Sequence, residues 1–215
     1  MRRRPGRRSR RRRRGGPQPA PPLSDRGGLV TRLFVAVALP DEVRAAAARA
    51  IEALTPRIAP RLGTGIGPRW VPAENLHATV AFLGETSAAD AVVDAVTAAA
   101  APWAPVSLRL EGLGAFPSAR RARVLWAGLG GDVAAMTGIA AAVSRVLEPL
   151  GFESEARPFR PHVTLARLPA PGRIDFGAVS VGPVPFSADG LSIFRSHLGR
   201  PAPRYERIAF APFLG

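Results

Sequence analysis

The sequence predicts an α+β fold with two similar lobes, in which antiparallel or mixed sheets with outer helices surround a central cleft. Three observations predict it. From Arg32 onward, short β-rich runs alternate with Ala-rich runs that have helical spacing. The order strand, helix, loop and His-containing strand occurs twice along the chain. The long connections between strands favour antiparallel or mixed sheets with the helices outside.

The first half carries clear signals for where its elements begin and end. Pro40 ends the first strand, and Asp41 and Glu42 place acidic side chains in the first turn of a helix. Gly84 ends the next strand, and Ser87 is a suitable N-cap for a second helix. The predicted elements are a strand over 33–39, a helix over 41–54, a Gly- and Pro-rich loop over 60–73, a strand over 77–83 and a helix over 88–100.

The second half repeats the pattern and adds two strands. Its helix ends at Gly151, because glycine adopts the left-handed conformation that closes many helices. The predicted elements are strands near 106–113 and 123–129, a helix over 133–150, a strand over 162–168 and final strands near 191–196 and 205–210.

Composition excludes several classes of protein. With 215 residues, of which 47% are hydrophobic, the chain can bury one substantial core. There are no cysteines, which excludes disulfides, thiolate nucleophiles and Cys-ligated zinc, and nothing indicates an oxidising compartment. No apolar run approaches the roughly 18 residues that span a membrane. We therefore expect a cytoplasmic protein with no membrane partner.

The formal charge of +14 is concentrated in an N-terminal tail. Residues 1–29 hold 11 of the 30 basic residues and one acid, and they are rich in Arg, Pro and Gly, so they are predicted to be disordered. The tail could be an RNA-binding arm. Equally, it could be translated upstream sequence, with the true start at Val30. An export signal is disfavoured because no apolar segment follows the arginines. The folded part, residues 30–215, is predicted to be one two-lobed domain.

Two His-x-Thr-x segments are the strongest functional signal. In a strand, residues i and i+2 share a face, so His77 and Thr79 share one, as do His162 and Thr164. The chance that two of the three histidines would have Thr at i+2 by coincidence is about 0.4%. The third, His197, is expected to be an ordinary surface histidine. The neighbours of the motif residues are expected to point into the lobes: Leu76, Ala78, Val80, Phe82, Val163 and Leu165.

Two facing His–Thr pairs would suit phosphoryl transfer. A neutral imidazole can act as general base and a protonated one as general acid, since the ordinary pKa of about 6.5 allows both forms near neutrality. The Thr hydroxyls could donate hydrogen bonds to phosphoryl oxygens. The residues alone do not assign the two roles. Metal binding is disfavoured because no acidic residues stand at ligand spacing from the histidines. A Ser-His-Asp hydrolase is disfavoured because the sequence contains no nucleophile elbow.

Residues near the second motif are candidate substrate contacts. Arg157 and Arg160 could bind phosphate, and Phe159 could stack on a nucleobase, although Phe159 could equally belong to the core. Arg123 and Trp126 could line a basic groove, although a tryptophan in an apolar run is more often buried.

The motif pair resembles that of the 2H phosphoesterase superfamily. The longer stretches 32–36, 74–85, 124–128, 151–167 and 203–206 are similar to its bacterial and archaeal RNA 2′,3′-cyclic phosphodiesterases, historically called 2′-5′ RNA ligases. The resemblance runs from about residue 31 to the C-terminus. It implies a two-lobed α+β fold and metal-independent hydrolysis of RNA 2′,3′-cyclic phosphate ends to 2′-phosphomonoesters, in a tRNA-like molecule or an oligonucleotide.

The resemblance also implies residue roles. His77 would be the proton donor, His162 the proton acceptor, and Thr79 and Thr164 would bind the phosphate. It implies no cofactor and no metal, and we expect a monomer. Two alternatives stay open. One is another activity of the superfamily, such as nucleotide cyclic phosphodiesterase activity or 2′-5′ RNA ligation; the other is a basic RNA-binding protein without activity.

Overall fold

A computed structural model describes residues 30–58, 67–155, 157–199 and 202–215. The predicted tail, residues 1–29, and the first half of the predicted loop over 60–73 lie outside the described residues. The helices are α1 (Asp41–Ile58), α2 (Ala89–Ala100) and α3 (Val133–Leu147). The strands are β1 (Thr31–Ala38), β2 (Arg69–Trp70), β3 (His77–Thr86), β4 (Val106–Phe116), β5 (Ala122–Gly131), β6 (His162–Gly172), β7 (Val184–Ala188), β8 (Gly190–His197) and β9 (Arg204–Pro212).

The described strands form one curled antiparallel sheet in the order β7-β4-β5-β6-β3-β1-β8-β9, with β2 paired to β6. The strands β3 and β6, which carry the two His-x-Thr motifs, are the central neighbours and are joined at the single pair Ala78 and Val163. Four main strands lie on each side of this junction, and these halves are the two lobes. The predicted α+β fold is confirmed, and its sheet pairs antiparallel at every described contact.

The helices cover one face of the sheet and share a core with it. The helices α2 and α3 pack against each other, α2 also contacts β8 and β9, and α1 contacts β7. The helix α1 is a turn longer than predicted, because Leu54 and Ile58, four residues apart, are both buried and this packing outweighs the helix-breaking tendency of Pro56.

The helix α3, together with the turn that follows it, contradicts the expectation that no segment is long and apolar enough to span a membrane. Residues 133–150 have a mean hydropathy of 1.3, so by length and composition alone they could cross a membrane. Of this segment 22% is buried, and its buried face, which includes Met136, Ile139 and Val143, belongs to the common core.

Several element ends differ from the prediction. β3 continues through Gly84, which adopts φ of +71°, and ends at Thr86. Ser87 does not cap α2; instead the Thr86 hydroxyl accepts a hydrogen bond from the backbone N–H of Ala88 at 3.0 Å. α3 ends three residues early in a 3₁₀ turn, after which Gly151 takes the predicted left-handed conformation, with φ of +88°.

Two short strands were not predicted. β2 consists of two residues inside the predicted loop and forms only because β6 offers it a partner. β7 contains Pro185, which argues against a strand in sequence but is tolerated here because β7 lies at the edge of the sheet. Neither strand has a local signal, since each depends on a partner far along the chain.

Candidate active site

The junction of β3 and β6 brings the two motifs together. Ala78 and Val163 are paired and buried, so their side chains point into the core. In an antiparallel pair, residues on either side of such a pair lie opposite each other on the other face, with Cβ atoms about 5 Å apart. The four motif residues are therefore neighbours on one face of the sheet: His77 lies opposite Thr164, and Thr79 lies opposite His162.

The two imidazoles are held in the same way. The Nδ1 of His77 hydrogen-bonds the backbone carbonyl of Asn75 at 2.7 Å, and the Nδ1 of His162 hydrogen-bonds that of Arg160 at 2.6 Å. A carbonyl oxygen can only accept, so each Nδ1 carries the proton and donates it. Each Nε2 is therefore left to exchange a proton with a bound molecule. In both copies the carbonyl belongs to the residue two positions before the histidine.

The surroundings favour the neutral form of both histidines. Burial lowers the pKa of His77, the hydrogen bond to Asn75 opposes this, and the charges of His162 and Arg167 lower it further. Burial also lowers the pKa of His162, with the Arg160 carbonyl opposing and Arg167 lowering it again. Arg167 is thus a positive charge common to both imidazoles.

A bulge at the same position in each motif strand changes which residues reach the site. The pairing of β3 with β1 skips Val80, and the pairing of β6 with β5 skips Leu165, in each case the third residue after the histidine. The fifth residue after each histidine therefore shares its face. These residues are Phe82 and Arg167, and the prediction that Phe82 points into the lobe is wrong, since its side chain is 66% exposed.

Arg167, Phe82, Tyr205 and Asn75 are site residues that sequence reasoning missed. Arg167 lies opposite Arg69 of β2, so two guanidinium groups stand on the site face. A signal was present for Phe82 and Arg167, because both occupy the fifth position after a motif histidine. Strict strand alternation hid it, since alternation without the bulge places that position on the opposite face.

Aromatic rings form the floor of the site on both sides. His77 packs against three of them and His162 against two, and one ring at each histidine is edge-on. The ring centroids nearest His77 are those of Phe34 at 4.7 Å and Tyr205 at 5.4 Å, and those nearest His162 are Phe116 at 5.0 Å and Trp126 at 6.3 Å.

The indole of Trp126 packs against the imidazole of His162. It also lies across Gly114 of the neighbouring strand, where an added Cβ would stand 2.1 Å from the ring. The indole Nε1 is buried and has no hydrogen-bond partner among the described residues. Trp126 packs against His162 and Phe116, and its contact with a substrate stays a prediction.

The other flanking candidates are placed differently. Arg157 is exposed and pairs with Glu155, and Phe159 packs against the core, which agrees with the second of the two interpretations given for it. Arg160 contributes its backbone carbonyl while its side chain is exposed. Arg123 is exposed and makes no hydrogen bond or ion pair within the described part of the chain.

The third histidine lies elsewhere. His197 Nε2 hydrogen-bonds Glu206 at 2.8 Å, and Glu206 alternates in β9 with Tyr205, so the pair is on the opposite face of the sheet. In the described ranges, no group of three His, Cys, Asp or Glu side chains is arranged to hold a metal ion.

Two depressions in the described surface differ in their relation to the motif residues. One, of about 280 Å³, adjoins His77 and extends over Phe194 and Tyr205 to Arg207. The other, of about 580 Å³, runs between α1 and residues 178–184 and contains no motif residue.

Comparison with known proteins adds three findings. The family model described as the 2′-5′ RNA ligase superfamily matches residues 37–200. An Aeropyrum pernix protein named RNA 2′,3′-cyclic phosphodiesterase is 37% identical over 153 residues, which cover 67% of this chain and 86% of the relative. A Thermus thermophilus protein of the same name is 36% identical over 187 residues, which cover 81% of this chain and 86% of the relative.

The fold is also found in solved structures. The crystal structure of Escherichia coli LigT complexed with 3′-AMP superposes with a TM-score of 0.67 at 26% identity, covering 86% of this chain and 99% of that one. Its match spans both lobes, as the described sheet does.

Proposed function

Because the chain belongs to the 2′-5′ RNA ligase superfamily, we propose that it hydrolyses the 2′,3′-cyclic phosphodiester at an RNA end to a 2′-phosphomonoester. Relatives from two organisms carry the name of this activity. The observation that supports the proposal is the register of β3 and β6, in which two His–Thr pairs lie opposite each other on one face, and neither Nε2 atom has a hydrogen-bond partner among the described residues.

The reaction needs one proton taken and one given. His162 Nε2, neutral, takes a proton from water as the water oxygen bonds to phosphorus. The bond from phosphorus to the 3′ oxygen breaks, and His77, protonated at both ring nitrogens at the start of the step, gives its Nε2 proton to that oxygen. The 2′ oxygen stays esterified, which yields the 2′-phosphate. A proton exchange with solvent then restores both histidines.

The remaining groups stabilise charge on the phosphate. Thr79 and Thr164 donate hydrogen bonds to non-bridging oxygens, which become more negative as water adds. Arg167, on the same face, offsets the negative charge of the phosphate, and it opposes imidazolium formation in the free enzyme. The Nδ1 hydrogen bonds hold the tautomer that the exchange requires. Every step uses side chains of this chain, so no metal is required.

The decisive experiment uses the full chain and an oligonucleotide that ends in a 2′,3′-cyclic phosphate, incubated in EDTA. We expect a 2′-phosphate product. His77→Ala and His162→Ala should each form it at least about 100-fold more slowly, since each removes one proton-transfer group. His197→Ala is the matched control, because it removes a histidine on the opposite face, and it should retain full activity.

Other outcomes discriminate among the alternatives. A 3′-phosphate product would mean that the 2′ oxygen leaves, and the role given to His77 would be wrong. Joining of the oligonucleotide to an added 5′-hydroxyl strand would indicate ligation. Tight RNA binding without turnover would favour an RNA-binding protein.

A further inference from the structure

We propose that the pocket beside His77 is a subsite for the phosphate on the 5′ side of the terminal nucleotide, and that Arg207 binds this phosphate. This inference rests on the proposed function and extends it from the reacting ring to the next phosphate of the chain.

The pocket is continuous with the reaction centre. His77 forms part of its wall, and its volume of about 280 Å³ is close to the lower end of small-molecule sites, about 300 Å³. Phe194 is paired with Arg207 across β8 and β9, and Tyr205 is two residues from Arg207 on the same strand face. Tyr205 packs edge-on against His77. Arg207 is therefore two residues along β9 from the residue that contacts the imidazole.

Three charged side chains line the pocket, and they are not equivalent. Arg44 donates a hydrogen bond to the Leu39 carbonyl at 2.8 Å and forms an ion pair with Asp41, so its guanidinium is already engaged. Glu74 is the one acid in the lining.

Arg207 has no carboxylate partner within the described residues, and its guanidinium carbon lies 5.8 Å from the centre of the Phe210 ring. That contact positions the group without neutralising its charge. Arg207 is therefore the lining charge that is available to an anion.

The chemistry of the substrate indicates which anion this is. Opening a 2′,3′-cyclic phosphate releases no second fragment, so the rest of the substrate lies entirely on the 5′ side of the reacting ribose. The next anion in that direction is the phosphate that joins the terminal nucleotide to the chain. A small pocket with an unpaired guanidinium suits this group, because arginine binds phosphate with two parallel charge-assisted hydrogen bonds.

The test compares two substrates that differ only in that phosphate: adenosine 2′,3′-cyclic phosphate and its 5′-phosphorylated form. We expect the protein to prefer the 5′-phosphorylated form by about tenfold in kcat/KM, the effect of one charge-assisted contact. Arg207→Gln should reduce this ratio to near one, and Glu74→Gln should increase it, because it removes the negative charge from the lining.

Arg204→Gln is the matched control. It removes the same charge from the same strand, but Arg204 lies on the face that carries Glu206, whose pKa it helps to lower. It should leave both rate constants and their ratio unchanged. Equal rate constants for the two substrates in the unmodified protein, or an undiminished ratio in Arg207→Gln, would overturn the inference.

Binding measurements separate this inference from the proposed function. Titration calorimetry with adenosine 2′-phosphate and adenosine 2′,5′-bisphosphate requires no turnover. If neither cyclic substrate is hydrolysed, the proposed function fails, yet tighter binding of the bisphosphate that depends on Arg207 would still support the subsite. Equal affinities would refute it.

Discussion

Replacing Gly114 with alanine puts a methyl group where the Trp126 indole lies. The ideal Cβ of residue 114 would stand 2.1 Å from the indole Cζ2 and 2.2 Å from Cη2. Carbon atoms in contact prefer about 3.5 Å, so the ring must move by about 1.4 Å. Its movement is restricted because it packs against both Phe116 and the His162 imidazole, whose ring centroids are themselves 5.0 Å apart.

The displacement has two measurable consequences. Overpacking of this kind costs about 1–3 kcal/mol, which corresponds to a fall in Tm of about 3–10 °C for a domain of this size. Because the ring supports His162, we also expect the imidazole to shift, and displacements near 1 Å at a catalytic group reduce rate by up to about 100-fold. Gly114→Ala should therefore lower both Tm and kcat/KM.

The assay is thermal unfolding together with hydrolysis of a cyclic-phosphate-ended oligonucleotide. Gly182→Ala is the matched control, because no atom lies within 4 Å of the added Cβ there, and both quantities should stay at their original values. In a Trp126→Phe background, the smaller ring should reduce the cost of Gly114→Ala. If Gly114→Ala matches the unmodified protein in both Tm and rate, the packing of Trp126 beneath His162 is refuted.

Other predictions concern charge, polar contacts and the tail. Both histidine pKa values are lowered, so kcat/KM should peak below pH of about 6.5. Arg167→Gln should move the pH profile to higher pH, because the Arg167 charge lowers both pKa values; an unmoved profile would contradict this effect. Thr79→Val or Thr164→Val should each lower kcat by about 100-fold, and a change in KM alone would show ground-state binding only. Asn75→Ala should lower the free energy of unfolding by about 1–3 kcal/mol, since its amide donates to a β8–β9 loop carbonyl at 2.7 Å; an unchanged denaturant midpoint would exclude this anchor. Deletion of residues 1–29 should leave Tm unchanged, and a large fall would refute a disordered tail.

The shared face of His and Thr in each motif could be predicted because strand alternation depends only on residues close together in sequence. Strand alternation places residues i and i+2 on one face, and this holds for His77 with Thr79 and for His162 with Thr164 in their strands. The order of elements also follows from local periodicity, as the first strand and the helix that begins at Asp41 show.

Partners that lie far apart in sequence could not be predicted. Tyr205 reaches His77 only because β9 pairs with β8 and β8 with β1, and the contact between Asn75 and Pro203 joins residues 128 positions apart. The bulges were missed for a related reason. A bulge is defined by the register with a neighbouring strand, so the segment after His77, taken alone, predicts an inward Phe82.

Acid and base roles require the two halves of the site to differ, although their scaffolds match. Both motif strands have a bulge three residues after the histidine, and both imidazoles donate to a carbonyl two residues before. Yet the fifth residue after the histidine is an apolar ring in one copy, Phe82, and a cation in the other, Arg167. The matching registers put the fifth residue on the site face in both strands, so under the proposed function these side chains would give the two sides of a bound phosphate different neighbours. If the roles depend on this difference, exchanging Phe82 and Arg167 should alter the pH profile more than either single substitution, because it moves the charge while keeping the composition of the site.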